Sequence, residues 1–115
     1  MNKRIKELWL KALRSGKYRQ VKAELKANLP GKHVGYCCLG VLCDIHSKET
    51  GKKWENRNMY FNADTVLPQE VMDWAGLDDD NPKVYYDIGL EHLSELNDER
   101  NCSFKEIADL IEKEL

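Results

Sequence analysis

Tyr36-Cys37-Cys38-Leu39-Gly40-Val41-Leu42-Cys43-Asp44-Ile45-His46 is the most apolar run in an otherwise polar chain, and it holds three of the four cysteines and one of the three histidines. Its spacing predicts a helix that begins at Tyr36 or Cys37 and runs to about Lys48, with Gly51 just beyond its end. Cys38, Leu39, Leu42, Ile45 and His46 share one face. Val41 and Cys43 widen the apolar sector, so the helix is expected to be buried on more than one side. Glycine inside a helix costs ~1 kcal/mol relative to alanine. Gly40 therefore marks a place where another element crosses closely, and the Trp9 face of an N-terminal helix is the natural candidate.

Outward from that stretch, residues 3–15 read as an amphipathic helix. Ile5, Leu8, Trp9, Ala12 and Leu13 fall on one face, Asn2 is placed as N-cap, and Gly16 is placed as the left-handed residue past the end. Val21, Ala23, Leu25, Ala27 and Leu29 alternate with polar residues, which predicts a strand over 20–29. Pro30-Gly31 would turn it back onto a second strand at 33–36. Residues 52–67 form an ordered loop with one strand at 58–61. Pro68, at the first helical position, opens a short helix that Gly76 closes. Asp78-Asp79-Asp80-Asn81-Pro82 is a turn rather than a calcium loop, because the alternating ligands and distal glutamate of such a loop cannot be placed. Val84, Tyr86 and Ile88 form the buried side of a strand over 83–88, and Leu90, Leu93 and Leu96 predict helical turns over 90–97. Ser103 and Glu106 make a capping box for a C-terminal helix, with Cys102 and Ile107 as its hydrophobic staple.

These elements predict a small α+β domain spanning residues 1–115. Four to five helices surround a central buried helix at about 37–48, beside a small, mostly antiparallel sheet. The 115 residues suit one domain, and the 42% hydrophobic content suffices for one core. The chain lacks the ~20-residue apolar stretch of a membrane span. With no secretory pattern at Met1-Asn2-Lys3-Arg4, the expectation is a cytoplasmic protein with four free thiols.

The net charge of −2 conceals an asymmetry. Residues 1–33 carry ten basic and two acidic side chains, and the remainder carries eight basic and eighteen acidic ones. Either the two parts neutralise one another within the fold, or one of them presents a charged face to a partner. Lys11, Arg14, Lys17, Tyr18, Arg19 and Gln20 cluster where the first helix ends. Cations with a neighbouring aromatic ring suit a phosphate bearing a stacked base, so these six are the candidate ligand-binding residues. The dipole at a helix C-terminus has the wrong sign for an anion and weakens that reading. The acidic remainder argues against duplex nucleic acid.

The Cys/His cluster offers two further chemistries. His33, Cys37, Cys38, Cys43 and His46 resemble a zinc ligand set, but there is no second knuckle and Cys37-Cys38 adjacency is atypical. A cysteine nucleophile would use His33, His46 or His92 as base, yet the surroundings are apolar. The acidic residues Asp44, Glu49, Asp64, Asp98 and Asp109 form no pair that sequence can bring together, and Asn97-Asp98 reads as a turn. No catalytic residue, metal or cofactor is assigned.

Several blocks in order resemble a family of small, uncharacterised proteins encoded by bacteriophages and prophages. They are Lys11-Ala12-Leu13-Arg14-Ser15-Gly16-Lys17-Tyr18 with Gln20, then Tyr36 to Asp44, then Leu67-Pro68 with Trp74-Ala75-Gly76-Leu77, and finally Leu96-Asn97-Asp98, Ser103-Phe104 and Ile107 to Glu112. The resemblance implies a phage accessory protein that works in the cytoplasm of an infected bacterial host, altering host physiology or inhibiting host defence. Where that pattern has glycines after Gln20, this chain has Val21-Lys22-Ala23, which argues against a ligand held by close backbone approach there. The expected function is a non-enzymatic binding protein for a nucleotide-like anion or a host protein. The alternative is a small Cys/His metal protein or thiol enzyme.

Overall fold

The computed structural model describes residues 1–115 as an α+β fold. Its elements are α1 (Lys3–Arg14), β1 (Arg19–Gln20), β2 (Lys26–Leu29), β3 (His33–Tyr36), α2 (Cys38–Thr50), α3 (Gln69–Ala75), β4 (Lys83–Tyr86), β5 (Gly89–His92), α4 (Leu93–Asp98) and α5 (Phe104–Glu114). Single 3-10 turns occupy Pro30–Lys32 and Asn56–Asn58. No helix is long and apolar enough to cross a membrane.

The apolar run forms α2, as its spacing predicts. Every residue from Cys38 to His46 is buried, which is the expected placement of a helix that is apolar nearly all round. Cys37 is the N-cap, its Sγ accepting from the Gly40 N–H, and Gly51 closes the helix in the left-handed region at φ 80°. α1 and α5 pack against each other, and α1 also contacts α2. Trp9, fully buried, donates its indole N–H to the Cys38 carbonyl at 3.0 Å. Twenty-six buried residues make one continuous core around these helices.

Gly40 does lie under a close crossing, but the crossing element is not the Trp9 face of α1. A Cβ at position 40 would stand 1.7 Å from the Leu25 carbonyl oxygen. That carbonyl accepts from the Cys37 N–H, and the Leu25 N–H donates to the Asp64 carbonyl at 2.7 Å. With its side chain fully buried as well, Leu25 is pinned across the first turn of α2.

The alternation over 20–29 therefore does not make one strand. β3 is the middle strand of a three-stranded sheet in the order β1-β3-β2, with β1 parallel and β2 antiparallel to it. Residues 21–25 carry the chain from one side of β3 to the other, turning at Ala23 with φ 69°. The turn at Pro30–Lys32 and the return strand at 33–36 form as expected.

Three boundaries also differ from expectation. Pro68 caps α3 instead of starting it, and the strand expected at 58–61 is only a bridge between Tyr60 and Ala63. The strand expected over 83–88 ends at Tyr86. Asp87 and Ile88 form a two-residue turn, Ile88 is 97% exposed, and Leu90 lies in β5 rather than in a helix. The local signals at the chain ends hold. Asn2 caps α1 by accepting from the Ile5 N–H, and both hydrogen bonds of the Ser103–Glu106 capping box are made.

Replacement of Gly40 tests the crossing. Gly40→Ala gains helix propensity but drives Cβ into a backbone oxygen that cannot rotate away, so a loss of about 3 kcal/mol is expected in urea unfolding. Wild-type stability in that variant would show that the Leu25 crossing does not constrain α2.

Candidate functional site

The six candidate ligand-binding residues are divided among different partners. Arg14 reaches α5, with Nη2 at 2.7 Å from Asp109 and 2.6 Å from Glu112, and these bonds raise its pKa above the ordinary arginine value. Tyr18 turns toward α2, where its hydroxyl donates to Asp44 Oδ2 at 2.7 Å. Gln20 donates through Nε2 to the Asn97 side-chain oxygen at 2.8 Å and to the Cys102 carbonyl at 2.9 Å. Lys11, Lys17 and Arg19 are exposed and make no ion pair. The six do not converge on one cavity. Only Gln20 lines one, a notch of about 190 Å³ shared with Lys22, Asn97, Asn101 and Cys102.

Two polar centres missed by sequence reasoning organise this side of the molecule. The first is Asp44 on α2, only 7% exposed. Its Oδ1 accepts from the Trp54 indole at 3.1 Å, and its Oδ2 takes the Tyr18 hydroxyl and Lys48 Nζ at 3.2 Å. A buried carboxylate needs such partners, since its desolvation is otherwise uncompensated. Tyr18, Tyr36 and Trp54 pack edge to face or tilted around it. Burial, reinforced by the Asp44 charge, pushes the Tyr36 hydroxyl up to about 12. Lys26 Nζ lies 5.1 Å from the Trp54 ring centre and 5.9 Å from that of Tyr36, so a cation of the chain itself faces these rings.

The second centre is Asn97, 1% exposed. It is not in a turn as expected but near the end of α4. Its oxygen accepts from Gln20 and from the Cys38 N–H at 3.3 Å, and its Nδ2 donates to the Val21 carbonyl and to Asp98 at 2.8 Å. One amide thus ties β1, the start of α2 and α4 together. Neither centre leaves a buried side-chain nitrogen or oxygen unpaired. Asp44, a carboxylate inside the most apolar run of the chain, was an available sequence signal; Asn97, among Glu95, Asp98, Glu99 and Arg100, carried none.

The Cys/His cluster is dispersed. His33 is exposed on β3, the four cysteines are buried, and nowhere do three His, Cys, Asp or Glu side chains come close enough to hold a metal ion. No histidine hydrogen-bonds to a thiol. His46 Nδ1 faces the Tyr60 hydroxyl, and His92 Nδ1 faces the Asn81 carbonyl. Burial pushes the Cys37 thiol up to about 11 and holds Cys38 and Cys43 well above the ordinary cysteine value. A nucleophilic thiol needs the opposite shift.

The largest apolar exposure lies elsewhere, on the β4–β5 hairpin. Tyr85 is 64% exposed, Ile88 97% and Leu90 55%. Tyr85 and Leu90 stand directly opposite in the ladder, so their side chains share one face. The alternation of Val84, Tyr86 and Ile88 had placed Ile88 inside; a turn signal before Gly89 was the cue to the contrary.

A family model described as a domain of unknown function, DUF8296, matches residues 1–115. The chain belongs to that family. No curated protein and no solved structure matches this DUF8296 chain.

Two measurements follow from these environments. All four thiols should resist an alkylating reagent in the native protein at pH 8 and react together once denaturant is added, as mass spectrometry would show; fast labelling of one native thiol would revive cysteine chemistry. Burial lowers the His46 pKa below its ordinary 6.5, with the Glu70 charge opposing it. The unfolded chain then takes up the proton first, so the contribution of His46 is complete above pH 6.5 and is lost as pH falls toward the lower native value. Urea midpoints should drop between pH 7.5 and 5.5, and His46→Gln should flatten that drop.

Proposed function

We propose that this chain is a non-enzymatic binding protein whose target is another protein. In the phage setting that its sequence resemblance implies, the target is a host component in the bacterial cytoplasm, with inhibition of a host defence as the outcome. The observation that carries this reading is the β4–β5 hairpin, where three large apolar side chains stand in water. Scattered exposed apolar residues are ordinary, but here Tyr85 and Leu90 stand opposite each other on one face with Ile88 at the adjoining turn, and such grouping is a usual mark of a protein contact. The core contact of β4 is made by Val84, fully buried, and by half-buried Tyr86, not by these three exposed side chains.

The nucleotide-like ligand is the less supported target. Arg14 is engaged by two carboxylates, Tyr18 by Asp44 and Gln20 by Asn97, which leaves Lys11, Lys17 and Arg19 without a shaped site. An anion there would have to compete with partners the fold already supplies.

A photo-crosslinking benzoylphenylalanine in place of Ile88, expressed in a bacterial host, should give one discrete protein adduct. The same group at exposed Lys53 should give none, and combining Tyr85→Ser with Leu90→Ser should abolish the adduct. In parallel, a thermal-shift screen with nucleotides should show no stabilisation. Absence of an adduct at position 88 together with a nucleotide-dependent rise in Tm would replace the protein target with the small anion.

A further inference from the structure

The notch that Gln20 lines carries a cation and no carboxylate. It holds about 190 Å³ between β1, the end of α4 and the loop before α5, and its walls are Gln20, Lys22, Asn97, Asn101 and Cys102. Most of these walls are fixed by bonds within the chain. Asn97, 1% exposed, uses its oxygen on Gln20 and the Cys38 N–H, and its nitrogen on the Val21 carbonyl and Asp98. Gln20 uses Nε2 on Asn97 and the Cys102 carbonyl, which leaves its Oε1 as an acceptor. The loop before α5 is held by Arg100 on Glu91 and by the Cys102 N–H on the Leu96 carbonyl at 3.0 Å. Lys22 is the exception. Arg4, Arg14, Lys48 and Arg100 each reach a carboxylate, whereas the Lys22 ammonium reaches only the neutral side-chain oxygen of Asn101. Its charge is placed but not neutralised. Asp98 does not line the notch; it bonds to Asn97, and its charge acts on the Cys37 and Cys38 thiols at the positive end of α2.

We propose that this notch receives a single carboxylate group. Lys22 supplies the countercharge through the ammonium protons that Asn101 leaves free, and Asn101 Nδ2, which bonds to nothing in the chain, supplies a second donor. One ammonium balances one negative charge. A phosphate dianion would leave charge uncompensated beside Gln20 Oε1, and a nucleobase would find no ring to stack on, since none of the five lining residues is aromatic. A cationic group would be repelled by Lys22. The site is independent of the hairpin and of the reading that rests on it. The same carboxylate chemistry belongs to a free small acid and to an aspartate or glutamate side chain of another protein.

The probes are acetate, glutamate capped at both ends, and glutamine capped at both ends, titrated into the ¹⁵N-labelled full chain. Acetate and capped glutamate should each shift the side-chain amide signals of Gln20 and Asn101 along a saturable curve at millimolar concentration, and capped glutamine should not. Lys22→Met removes the charge from an exposed position and should weaken binding at least tenfold with an unchanged circular dichroism spectrum. Lys17→Met removes an equal charge outside the notch and should change binding less than twofold. Asn101→Gly keeps the left-handed backbone at φ 55° but removes the amide, and should weaken binding at least threefold. Capped glutamate binding at least threefold more tightly than acetate assigns the notch to a protein side chain; a smaller margin, or the reverse order, assigns it to a free small acid. The absence of a saturable shift, an equal response to capped glutamine, or undiminished binding to a folded Lys22→Met protein would overturn the proposal. So would shifts spread evenly over Lys11, Lys17, Arg19 and Lys22, which would show only screening of surface charge.

Discussion

The Leu25 carbonyl oxygen occupies the space where a side chain at position 40 would begin, and much of the architecture follows from that contact. It brings residues 21–25 over the first turn of α2 closely enough for the carbonyl to accept from Cys37. The same residue anchors the long loop through Asp64, so the aromatic residues Trp54 and Tyr60 are drawn onto α2. Because the chain must cross here, β1 and β2 flank β3 on opposite sides. Only glycine permits this, and its cost in helix propensity is small beside what a shifted crossing would disrupt.

The charge asymmetry is resolved largely within the molecule. Arg4 on α1 pairs with Glu49 on α2, Arg14 bridges Asp109 and Glu112 on α5, and Lys6 donates to the Glu112 carbonyl. The basic first helix lies against the acidic last one. Exposed pairs of this kind add little stability. Their greater effect is on where charge remains available: α5 draws Arg14 and Lys6 inward, while Asp78, Asp79 and Asp87 have no cationic side chain paired to them.

The helices were legible because their signals are local. The capping box before α5, Asn2 before α1, Gly51 after α2 and the burial of the Cys37–His46 run all depend on residues a turn or two apart. The strands were less legible because pairing is not local. Alternation over 20–29 could not reveal that β3 separates its two ends, and alternation over 83–88 could not tell an inward Ile88 from a turn residue. Gly40 shows the same limit: the need for a close approach was readable, but not that Leu25 rather than Trp9 makes it. The Lys11–Gln20 group was visible as a cluster along the chain, but the carboxylates and amides that divide it belong to α5, α2 and α4.

The hairpin stands apart from this economy of internal pairing. Asp44 and Asn97 are saturated, the thiols are enclosed, and Arg14, Tyr18 and Gln20 each have a partner. Tyr85, Ile88 and Leu90 have none, although polar residues at those positions would leave Val84 and the turn intact. An exposed apolar edge is a liability for aggregation that sheet proteins ordinarily blunt with charge, proline or a covering element. Here β4 is partly covered by α5, Glu91 of β5 is paired with Arg100, and the apolar face of Tyr85 and Leu90 stays in water. Apolar side chains kept in water cost solubility, and a protein partner that covers them would offset that cost.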